Sequence, residues 1–92
     1  MIKEQEEKET KKSFEALKQA CKDYSEKDLE KLVKAYDFAM QTYGDQRNES
    51  GELKIIQSLK VAYIVSNDIG LKAVSVVSAL LHDIIDNPYE NL

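Results

Sequence analysis

One histidine stands in these 92 residues. It is His82, followed directly by Asp83 and, one helical turn later, by Asp86. Imidazole beside carboxylate is a donor set for a divalent ion such as Mn, Fe or Zn, which would polarise a phosphate and lower the pKa of bound water. Adjacent helical residues diverge by about 100°, so both reach one cation only from a groove shared with neighbouring helices, which must supply further ligands. Asp86 lies on the same face as the pair, placed to orient that water or to move a proton. Without a wider context a satisfied structural pair explains His82 and Asp83 better, because a lone His-Asp dipeptide is common. Cys21 is the sole cysteine, which excludes an internal disulfide and a thiolate zinc cluster and reads as a buried small residue.

The elements that must position these residues are helical. From Lys3 to about Tyr24, Phe14, Leu17, Cys21 and Tyr24 recur at three- and four-residue steps in a Lys/Glu-rich background, and the first ten residues either fray or extend this helix as a charged face. Ser25 with Asp28 three residues later predicts a helix N-cap. Leu29, Leu32, Val33, Tyr36, Ala39, Met40 and Tyr43 then follow helical spacing up to Gly44, which can end a helix with positive φ. Residues 44–51 are polar and bounded by glycines, which predicts a loop. Ile55 and Ile56 lead into a third helix from about Ser58 to Asn67, with Leu59, Ala62, Tyr63 and Val65 as its buried candidates, before Gly70 breaks the pattern. The last helix, about Leu71 to Asp86, is apolar on nearly every side and so central, and Asn87-Pro88 stops it. The fold class is all-α, a bundle of about four helices, with a charged N-terminal helix over 1–24 and the remaining body over 25–92.

Hydrophobic residues at 42% and charged residues at 33% describe a globular chain. A net charge of −4 repels phosphates and anionic membranes, so the expected partners include no nucleic acid and no membrane. The run Ala73 to Leu81 is too short to span a bilayer, and the N-terminus is charged where a signal peptide needs an apolar stretch, which predicts a cytoplasmic location. A last helix apolar all round must find cover, and self-association through Val74, Val77 and Leu81 predicts a homodimer. Tyr24, Tyr36, Tyr43, Tyr63 and Tyr89 are read as packing residues rather than base-stacking ones.

A longer pattern runs from Leu32 to Asn87. It comprises Ala35, Tyr36, Phe38 and Ala39, then Gln46 and Arg47, Ser50-Gly51-Glu52, Ile55-Ile56, Val61-Ala62, and Ala79-Leu80-Leu81-His82-Asp83-Ile84-Ile85. In order and spacing it resembles the first part of the hydrolase domain of the RelA/SpoT family, which makes and degrades guanosine tetra- and pentaphosphate. The resemblance implies an HD-domain-like helical bundle over 25–92, truncated relative to the full family domain, that binds Mn and removes the 3′-pyrophosphate. It implies His82 and Asp83 as metal ligands, Asp86 as catalytic, and Arg47 and Ser50 as nucleotide contacts.

Departures from the family pattern fall in those same motifs. The family's Ser-Gly-Glu continues as Pro-Tyr-Ile-x-His-Pro, its histidine being a metal ligand, whereas here Leu53 to Ser58 put Gln57 at that position. The Arg-Lys before Ser-Gly is replaced by Asn48-Glu49, and the Glu-Asp after His-Asp-x-x by Asp86-Asn87. The family's last ligand, an Asp on a later helix, falls beyond Leu92. The expectation is a degenerate, inactive 3′-pyrophosphohydrolase-type domain with a regulatory or interaction role, binding no Mn and holding guanosine tetra- or pentaphosphate weakly. The alternatives are an active hydrolase completed beyond Leu92 or by another chain, and a helical interaction module.

Overall fold

The computed structural model describes residues 2–67 and 72–85, with the backbone alone for Asp83 and Ile85. Four helices, α1 (Glu4–Ala20), α2 (Glu26–Tyr43), α3 (Lys54–Ser66) and α4 (Ala73–Leu80), are followed by a single helical turn, α5 (His82–Ile85). There is no strand among the described residues, only an isolated antiparallel bridge between Arg47 and Leu53. The chain is therefore an all-α bundle. No helix among the described residues is long and apolar enough to cross a membrane.

Helix α1 begins earlier than its apolar stripe does. Glu4, Glu6 and Glu7 in its first turn complement the positive helix terminus, and Glu6 reaches back to accept from the Lys3 N–H at 3.1 Å. Thr10 is buried without penalty because its hydroxyl donates to the Glu6 carbonyl one turn back, at 2.8 Å. Phe14, Leu17 and Cys21 form the stripe itself and enter the common core. Burial pushes the Cys21 thiol above its ordinary pKa, which suits a packing residue.

Helix α2 starts where Ser25 caps it, its hydroxyl accepting from the Asp28 N–H at 3.2 Å. It buries Leu32, Ala35, Ala39 and Tyr43, while Val33 and Met40, expected on the buried stripe, face outward. Tyr36 stacks on Phe14 of α1, ring centroids 3.8 Å apart and planes within 6°. Gly44 ends the helix with φ 53 and ψ −123, a positive φ outside the left-handed helical region.

Three expected boundaries move. Helix α1 ends at Ala20 rather than near Tyr24. Helix α3 starts at Lys54 rather than near Ser58, so Ile55 and Ile56 are helical and both fully buried. Neighbouring residues on one helix can both be buried because α3 is packed on α1 along one side and on α4 along another. Tyr63, expected inside, is exposed. The expected helix over 71–86 is interrupted at Leu81, and it is not covered all round: Val76 and Leu80 are fully buried, whereas Val74 is 67% exposed. Leu71 and Asp86, its expected ends, lie outside the described residues.

Candidate functional site

The interruption at Leu81 coincides with a change in hydrogen bonding. In an unbroken helix the Leu80 carbonyl accepts from the N–H four residues on. Here the buried Tyr43 hydroxyl, at the end of α2, donates to that carbonyl at 3.3 Å, while the Ile84 N–H donates to Leu81 O at 3.0 Å, a tighter three-residue step. The break turns the chain just before His82, the first residue of α5.

His82 is exposed and lines an open cleft of about 230 Å³ with Gln57, Ser58, Val61 and Ala79. Residues 25 positions apart in sequence are thus brought together by the packing of α3 on α4, one turn into α3 and two residues past α4. The Asp83 side chain and all of Asp86 lie outside the described residues. Among the described residues no three His, Cys, Asp or Glu side chains converge as a metal-holding group.

Gln57 is oriented from the loop before α3. The Arg47–Leu53 bridge closes this loop as a small hairpin, with Asn48 and Glu52 paired through an N–H to carbonyl bond of 2.8 Å and the Gly51 N–H returning to Asn48 O at 3.0 Å. Gly51 takes φ 85, a conformation that side chains rarely adopt. The Asn48 side-chain oxygen accepts from the backbone N–H groups of Ser50 and Glu52, at 2.9 and 3.1 Å. Two backbone donors on the oxygen fix which end of the amide is which, so its NH2 faces away as a donor. That donor meets Gln57 Oε1 at 3.2 Å. Asn48 therefore organises the loop and engages the amide oxygen of Gln57, a lining residue of the cleft in the first turn of α3.

Arg47 points elsewhere. Its guanidinium makes a two-pronged pair with Glu6 of α1, 2.7 and 2.8 Å, and donates to Gly51 O at 2.9 Å. The hydrogen bond from Arg47, then that from the Lys3 N–H, holds the Glu6 carboxyl at about 2, against an ordinary 4.5. Ser50 sits exposed at the loop tip, and Glu52 pairs with Lys60 of α3 at 2.6 Å.

Sequence reasoning brought Gln57 and His82 into one argument but missed Asn48 as the partner of Gln57 and Glu6 as the partner of Arg47. Asn48, two residues before Ser50 and three before Gly51, carried a turn signal that could have been read. Glu6 carried none, being 41 residues from Arg47 in sequence.

No family model matches the chain, and no solved structure matches it. Among curated proteins it is 35% identical, in an 81-residue alignment covering 73% of this chain, to Guanosine-3′,5′-bis(diphosphate) 3′-pyrophosphohydrolase of Aquifex aeolicus. It is 36% identical over 64 residues, 70% of this chain, to Bifunctional (p)ppGpp synthase/hydrolase RelA of Mycobacterium tuberculosis. The chain spans 12% of the first relative and 8% of the second. These partial homologies support the RelA/SpoT family for this chain.

Proposed function

We infer that this chain is a hydrolase-type domain of a stringent-response protein whose hydrolytic site has been lost, and that its remaining role is regulation or contact with a partner. The observation that carries this reading is the Asn48 to Gln57 hydrogen bond beside His82. An Mn ion would be held in the family by imidazole and carboxylate donors. The donors here fit it poorly: Gln57 offers a neutral amide oxygen already engaged by Asn48, and the other end of that amide is a donor that a cation repels. No step through a metal is derived for this chain.

The anion side of the reading is equally depleted. Arg47, the cation that the family resemblance assigns to nucleotide contact, is engaged by Glu6, and Asn48-Glu49 supply no positive charge beside it. A polyphosphate would have to displace a two-pronged carboxylate to reach the guanidinium. The test is hydrolysis of guanosine tetraphosphate in the presence of Mn, followed by phosphate analysis, together with elemental analysis of the purified chain. The expected result is no pyrophosphate released and no Mn retained; clear turnover would overturn the reading.

A further inference from the structure

We propose that the groove between α2 and α4 receives an acidic amphipathic helix from a partner protein. This rests on the interaction role inferred above and names what the partner must look like.

The groove measures about 450 Å³ and is lined by Asp28, Lys31 and Lys34 of α2 and by Lys72, Ala73, Val74 and Val77 at the start of α4. Its chemistry is split between rim and floor. Val74 and Val77 give an apolar floor, and Val74 is the most exposed apolar side chain of α4. Three exposed lysines surround it, two of them one turn apart on α2 and the third on the opposite wall. Among the described residues none of the three takes part in an ion pair, whereas Lys8, Lys18, Lys60 and Arg47 all do. Asp28 is the sole acidic lining residue among the described ones.

Three cations around valines in a chain of net charge −4 fit a ligand that is apolar in its middle and anionic at its edges. A helix with Leu or Ile on one face, and Glu or Asp spaced three or four residues apart along it, matches both features. Lys31 and Lys34 have that same spacing. A symmetric pairing of two copies through this face would bring the three lysines of one against the three of the other, which opposes a second copy as occupant. A phosphate ligand would use the lysines and leave the valine floor without a function. A membrane would meet a chain whose net charge repels anionic headgroups.

The test uses the whole chain and a dye-labelled synthetic helix of about 16 residues, about 24 Å long, with leucines four residues apart flanked by glutamates. Fluorescence anisotropy should show saturable binding. Lys31→Glu with Lys34→Glu, and separately Val74→Asp, should each weaken it by about tenfold or more, and replacing the peptide's glutamates by lysines should abolish it. All three substituted side chains are exposed, and circular dichroism checks that the helices persist. No binding, or equal binding of the charge-reversed helix, overturns the proposal. So does binding of inorganic pyrophosphate or of anionic vesicles that Val74→Asp leaves unchanged in the absence of helix binding. A dimer in sedimentation that Val74→Asp dissolves would assign the groove to a second copy. The hydrolysis and Mn measurements report on Gln57 and His82, which line none of this groove, so the two readings fail separately.

Discussion

Tyr43 and Leu80 are 37 residues apart, and the tyrosine hydroxyl donates to the leucine carbonyl at 3.3 Å inside the core. One bond thus closes the end of α2 onto the end of α4 and leaves the chain to turn at Leu81 immediately before His82. Tyr43→Phe keeps the ring and takes this donor away from the buried Leu80 carbonyl. The expected cost is about 1–2 kcal/mol, seen as a lower urea midpoint with an unchanged slope. An unchanged midpoint would mean the bond contributes nothing.

The orientation of α4 makes a sharper contrast. Leu80 is fully buried, and Val74, six residues earlier on the same helix, is 67% exposed. Leu80→Ala should cost about 2–5 kcal/mol through lost burial and the cavity left behind. Val74→Ala should stay within about 0.5 kcal/mol. In a chain this small the first change takes a large share of the whole stability, so thermal unfolding distinguishes them readily. Similar losses at both positions would mean that Val74 is covered, and the groove with it.

The helical spacing told most of this fold because α1 and α2 are amphipathic, with one buried stripe each. Ser25 and Gly44 mark the ends of α2 through local chemistry, a hydroxyl cap and a positive φ, and local chemistry is legible in sequence. The start of α3 was not legible. Leu53 makes no side-chain capping bond, and Ile55-Ile56 breaks the single-stripe pattern because α3 is buried on two sides. The break at Leu81 comes with a bond from a hydroxyl 37 residues away, which no window of sequence contains. At the site, the family resemblance was what aligned Gln57 with His82. The hydrogen-bond partners Asn48 and Glu6 were set by the loop's turn and by the docking of α1, and they needed the fold.

The Glu6–Arg47 pair predicts an acid-sensitive docking of α1. The folded-state carboxyl, held at about 2, stays ionised where the unfolded chain takes up a proton near 4.5. Its contribution is fully present above pH 4.5 and is lost as the pH falls from there towards 2. Both side chains retain some solvent contact, so added salt should weaken the effect. Glu6→Gln removes the titration and should flatten the pH dependence of the urea midpoint over that window. If parent and variant fall in parallel between pH 4.5 and 2, another carboxylate is responsible.

Gln57→His tests the cleft directly. It would set a second imidazole in the 230 Å³ cleft already lined by His82, and it removes the amide that Asn48 engages. Imidazole is a far better donor than a neutral amide for Mn or Zn. The variant should bind either metal more tightly than the parent by about tenfold or more, read by Mn paramagnetic resonance or a Zn-sensitive dye. His82→Ala in the same background should return affinity to the parent's level, because one imidazole alone does not make the site. If Gln57→His binds no better than the parent, the two side chains do not face a common ion. If the gain survives His82→Ala, the metal sits elsewhere on the chain. Release of pyrophosphate from guanosine tetraphosphate by Gln57→His, but not by the parent, would show that this one position decides whether the chain hydrolyses it.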